Sequence, residues 1–76
     1  MNDEQIFKKG DLVSVWDKNE KKIYGVFIKY DGDDGAARVL HRQGILHVLW
    51  AKVVWQDGTT EEENLGDLTL EARAQQ

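Results

Sequence analysis

Ile23-Tyr24-Gly25-Val26-Phe27-Ile28-Lys29-Tyr30 is rich in β-branched and aromatic residues, which suit a pleated strand better than a helix. Alternation puts Tyr24, Val26, Ile28 and Tyr30 on one face, and Ile23, Gly25, Phe27 and Lys29 on the other. Gly25 in mid-strand predicts a tight bend or a close approach by a neighbour. Upstream, Leu12-Val13-Ser14-Val15-Trp16 is a second short strand, separated from the first by the wholly polar stretch 17–22. Downstream, Asp31-Gly32-Asp33-Asp34-Gly35 is a turn, because Asp-Gly supplies the positive φ that tight reversals need.

Residues 36–42 read as a third strand and Gln43-Gly44 as a turn. Residues 45–56 are almost wholly apolar and form one bent strand or two. Ile45, His47, Leu49, Ala51, Val53 and Trp55 share one face, and a bulge is expected near Ala51-Lys52. A helix across 38–50 competes, but Gly44 would lie in its middle. Asp57-Gly58 is a further turn, followed by a polar strand over 59–64, a 3₁₀ turn at 65–68 and a last strand over 69–72. Thr60 and Glu63 also match a helix capping box, in competition with that polar strand.

Five or six short strands joined by Asp-Gly turns predict an all-β fold, a small SH3/Tudor-like barrel of antiparallel strands. The expected core is Val13, Val15, Val26, Ile28, Val39, Leu49, Val53 and Leu68. Seventy-six residues allow a single domain over 1–76, with fraying expected at 1–7 and 73–76.

Composition narrows function. The net charge of −4 is uneven: residues 8–56 carry nine Lys or Arg against six acids, and residues 57–76 carry six acids against Arg73. A strongly basic nucleic-acid footprint is therefore missing. Cysteine is absent, which excludes disulfides and thiolate metal sites. No apolar run approaches the ~18 residues of a membrane span, so no membrane partner is expected. The acidic, polar Met1-Asn2-Asp3-Glu4-Gln5 differs from a signal peptide, and the expected location is cytoplasmic. His41 and His47 are too few to build a metal site, and Asp31, Asp33 and Asp34 lack the spacing of a calcium loop. Ser14 has no triad partner in any readable pattern. Neither a metal nor a cofactor is expected, and a small chain with little room for a catalytic pocket is read as a non-enzyme.

Two blocks resemble a Tudor domain. One is Gly10-Asp11-Leu12-Val13-Ser14-Val15-Trp16 with Ile23-Tyr24-Gly25-Val26-Phe27-Ile28. The other is Val53-Val54-Trp55-Gln56-Asp57-Gly58 continuing into Glu61-Glu62-Glu63-Asn64-Leu65-Gly66-Asp67-Leu68. The resemblance implies a small barrel whose aromatic cage holds a methylated lysine or arginine, with Trp16, Tyr24 and Trp55 at cage positions. Cation–π attraction is the physical basis of such a cage. The chain departs from the pattern in a longer loop after Trp16, in having Gly58, Thr59 or Glu61 where a further wall residue stands, and in an extra strand or hairpin over 36–50. The same aromatics also suit cross-strand packing.

The resulting expectation is a non-enzymatic adaptor that binds a protein or peptide segment carrying a cation. Trp16, Tyr24 and Trp55 would hold the cation, with Glu61 and Glu63 as an acidic wall. One alternative is a nucleic-acid-binding barrel using Lys18, Lys21, Lys22, Lys29, Arg38 and Arg42 with Trp16, and another is an oligomeric enzyme whose pocket forms only at a symmetry axis. A homodimer through residues 36–50 is a further expectation, because a hairpin apolar on both faces seeks a partner.

Overall fold

A computed structural model describes residues 7–74. Its strands are β1 (Leu12–Trp16), β2 (Lys22–Tyr30), β3 (Trp50–Trp55), β4 (Thr60–Asn64) and β5 (Thr69–Ala72). They form one antiparallel sheet in the order β4-β3-β2-β1-β5. The all-β expectation holds, and the sheet is compatible with a small barrel-like fold. A 3₁₀ turn at Leu65–Asp67 carries the chain from β4, at one edge, to β5 at the other. The Asn64 side chain caps it by accepting from the Gly66 N–H.

Residues 36–42 are not a strand. They belong to a helix, α1 (Asp34–Arg42), in the connection from β2 to β3. Ala37, Leu40 and His41 recur at helical spacing, and that stripe faces the core while Val39 is exposed. Asp33 caps the start, its side chain accepting from the N–H groups of Gly35 and Ala36. Gly44 ends the helix with φ +77°. Its N–H bonds the His41 carbonyl, and the Ile45 N–H bonds the Leu40 carbonyl, a Schellman closure. Gly44 therefore stops a helix lying before it. The stretch 45–49 is a turn-rich connection, so the expected hairpin over 36–50 is absent. The capping-box alternative at Thr60 also fails, since Thr60–Asn64 is β4.

The core face of the sheet carries Val13, Gly25, Phe27, Ala51, Val53 and Trp55, closed over by Ala37, Leu49, Leu65 and Leu68. Full burial of side chains such as Val13, Phe27, Val53 and Leu65 contributes about 1.5–3 kcal/mol each. Of the expected core, Val13, Leu49, Val53 and Leu68 are buried, and Val15 packs against it half-buried. Val26 and Val39 are exposed, and Ile28 is only partly buried. The phase of β2 is thus opposite to the one expected, with Phe27 rather than Val26 inside. The bulge lies on β2, where the register slips between Phe27 and Lys29, opposite Val53 and Lys52. The extra residue returns Tyr30 to the core side, so Phe27 and Tyr30 are both buried.

Phe7 closes the assembly from outside the strands. Its ring stands 5.5 Å from Phe27 and 5.8 Å from His41, and its N–H donates to the Tyr30 hydroxyl. Asp11, wholly buried, ties both ends of the described chain together. Its carboxylate accepts from the N–H groups of Lys8 and Ala74 at 2.8 Å each and from Arg73 at 3.0 Å. Phe7, Arg73 and Ala74, all within the tails where fraying is expected, make these bonds to Tyr30 and Asp11. The rest of those two tails, residues 1–6 and 75–76, lies outside the described residues.

Candidate functional site

An antiparallel meander places alternate turns at the same end of its sheet. The β1–β2 loop and the β3–β4 turn consequently sit side by side. Trp16 enters the first and Trp55 the second. Asp17 organises the β1–β2 loop: its carboxylate accepts from the N–H groups of Asn19 and Lys21, and Glu20 takes φ +62°. Asp57 does the same for the β3–β4 turn, accepting from the Thr59 N–H and hydroxyl. Those hydrogen bonds hold the Asp57 carboxyl below its ordinary range.

Between the two turns lies a cavity of about 480 Å³, within the range of small-ligand sites. Val15, Ile23 and Trp55 supply its apolar lining, and Trp16, Gln56 and Thr59 its rim. Asp17, Asp57, Glu61 and Glu63 add four carboxylates, and no Lys or Arg lines it. Trp55 is buried because Gly25, its cross-strand partner, has no side chain. A Cβ at position 25 would come within 2.6 Å of the Trp55 ring and 2.7 Å of Val53. The Trp55 indole N–H donates to Glu61 at 3.2 Å. Glu61 and Glu63 are two apart on β4 and so share a face. Burial, then the charges of Glu61 and Asp67, push the Glu63 carboxyl above its ordinary range. That environment favours an arriving positive charge.

Of the expected ligand-binding residues, Trp16, Trp55, Glu61 and Glu63 line this cavity and Tyr24 does not. Tyr24 lies on the outer face of the sheet, where the Lys22 ammonium stands 6.0 Å from its ring and 5.6 Å from that of Trp16. Lys22 is also paired with Glu71 at 2.9 Å, and Glu71 accepts from the buried Ser14 hydroxyl at 2.6 Å. The Glu71 hydrogen bond raises the Lys22 pKa, and the bonds from Ser14 and Lys22 lower that of Glu71. The protein's own lysine thus already faces the Trp16–Tyr24 pair.

The other basic residues do not gather. Lys18 and Lys21 project from the β1–β2 loop, Lys29 sits at the far end of β2, and Arg38 and Arg42 belong to α1. Among the described residues, no group of three or more His, Asp or Glu is placed to hold a metal ion. None of their helices is long and apolar enough to cross a membrane.

Asp17, Ile23, Gln56 and Asp57 also line the cavity but were not singled out as site residues from sequence; Thr59, which stands where the resemblance puts a further wall, lines it as well. A signal was present, since each strand-ending tryptophan runs straight into an Asp-anchored turn. Comparison with protein-family models, curated proteins and solved structures finds no match for the chain.

Proposed function

We propose that this chain is a non-enzymatic interaction module, Tudor-like in type, that takes a cationic side chain of a protein segment into the cavity between its β1–β2 loop and its β3–β4 turn. The observation that carries this reading is the lining: two tryptophans and four carboxylates, with no lysine or arginine among the lining residues; Lys22, 5.6 Å from the Trp16 ring, is the cation that a ligand has to displace or share that ring with. Trp16, 65% exposed, offers a π surface to a cation. Trp55 supports this from the floor, and its indole positions Glu61. Glu63 gains from neutralisation, because burial and the charges of Glu61 and Asp67 disfavour its ionised form.

The arrangement differs from the three-walled aromatic cage implied by the resemblance, since Tyr24 is outside. Carboxylates therefore carry more of the recognition than π faces do. This favours a cation that can still donate hydrogen bonds, such as an arginine or an incompletely methylated lysine, over a quaternary ammonium.

The test is a titration of ¹⁵N-labelled protein, with blocked arginine and blocked methyl-lysines in one series and a short single-stranded oligonucleotide in the other. The expected result is movement of the Trp16 and Trp55 indole N–H signals with the cations, weakened at least fivefold in Trp16→Ala. Movement with the oligonucleotide alone, abolished by salt, would reject the proposal in favour of nucleic-acid binding.

A further inference from the structure

The outer edge of β4 adjoins this cavity and is open. The sheet order ends at β4, and no described segment pairs with its far side. The hydrogen-bond register shows which backbone groups face out. Trp55 N–H bonds Thr59 and Leu65 N–H bonds Leu49, while Val53 stands opposite Glu61 and Ala51 opposite Glu63. Odd-numbered residues of β4 therefore exchange bonds with β3. The N–H and C=O groups of Thr60 and Glu62 point away from the sheet. Both residues are exposed.

We propose that the module binds its ligand by strand addition: an extended basic peptide pairs with the Thr60–Asn64 edge and thereby delivers an alternate side chain to the cavity. The inference rests on the cation-binding reading above. Charge complementarity selects the occupant. Glu61, Glu62 and Glu63 stand in a row on this edge, two on the cavity face and one on the outer face. A second copy pairing β4 to β4 would oppose glutamate to glutamate, so the edge resists self-association while it attracts a basic strand. A strand added about 4.8 Å away brings every second side chain beside Glu61 and Glu63. Main-chain bonds then supply affinity, and the cavity supplies selectivity.

The probe is a blocked peptide of alternating arginine and threonine, added to the full chain. The Thr60 and Glu62 amides should become protected from hydrogen exchange, and the Trp55 indole signal should move. The same peptide methylated on every backbone nitrogen keeps its charge but cannot donate, and it should bind at least about tenfold more weakly. Glu62→Pro removes one outward N–H without touching a bond to β3, and it should weaken binding well beyond the charge-only control Glu62→Gln. A thermal melt confirms that each variant is folded.

Indole movement without amide protection, or equal binding of the methylated peptide, overturns strand addition and leaves the cavity reading standing. Amide protection without indole movement supports strand addition and overturns the cavity reading. Silence at both sets of signals overturns both.

Discussion

Replacing Gly25 by alanine sets two effects of opposite sign against each other. An alanine restricts the unfolded chain more than glycine does, which alone would stabilise the protein by about 0.4–1 kcal/mol. The folded structure opposes it. The new methyl group would lie 2.6 and 2.9 Å from two Trp55 ring carbons and 2.7 Å from Val53 Cγ1. Ordinary carbon contacts are about 3.5–4.0 Å, so the ring must retreat by roughly an ångström. Overpacking of this kind costs about 1–3 kcal/mol. The steric effect wins, and the net loss is about 1–2 kcal/mol. For a chain this short, that lowers Tm by roughly 5–15 °C. Thermal unfolding followed by circular dichroism measures the loss. The Trp55 indole signal measures the displacement, because a retreating ring breaks its bond to Glu61. Val53→Ala in the same chain should show favourable coupling with Gly25→Ala, since it removes one of the two clashes. A Tm that is unchanged or raised in Gly25→Ala would show that Trp55 does not pack on Gly25, and the floor of the cavity would have to be redrawn.

Three further outcomes are expected. Asp11→Ala should cost about 3 kcal/mol in urea unfolding, because the part-buried N–H groups of Lys8 and Ala74 and the Arg73 guanidinium all lose the buried carboxylate that accepts from them. His41 has its pKa lowered by burial and by the nearby Arg73 charge, so its protonated form is disfavoured in the folded protein relative to the unfolded chain. Its contribution is therefore complete above the unfolded value near 6.5 and is lost as pH falls below it. The urea midpoint should drop between pH 7.5 and 5.0, with a shallower drop in His41→Phe. Glu63 has a raised pKa, so the folded state holds its proton more tightly and loses stability as pH rises through and above the ordinary carboxyl range. Glu63→Gln should accordingly melt higher at pH 7 while binding the cationic probe at least severalfold more weakly; a lower melting point, or unchanged binding, would contradict its place in the site.

Alternation and Asp-Gly turns made the strands legible, because residue type and a two-residue period are local properties. The 3₁₀ turn before the last strand was legible for the same reason, and Gly25 announced a close approach before the partner was known. The face of β2 was not legible. Its alternation is apolar on both sides, and Phe27 lies inside in a register where it stands opposite Val53 and its N–H bonds the Asp11 carbonyl, pairings made by segments distant in sequence. The third strand was misread because Ala37, Leu40 and His41 carry a helical stripe only three residues long, and Asp33 and Gly44 looked like turn residues rather than the two caps they are.

The candidate site divides in the same way. The chain's own chemistry supplied its parts: strand-ending tryptophans, a run of glutamates and Asp-anchored turns. Tertiary structure grouped them. It gathered Trp16, Trp55, Glu61 and Glu63 around one cavity and left Tyr24 outside it, on the outer face where Lys22 stands over both Tyr24 and Trp16. Residue types and short spacings are written along the chain, but which face of a strand meets which neighbour depends on a register that packing chooses. A shift of one residue would exchange the two faces, and with them the set of side chains that meet a ligand.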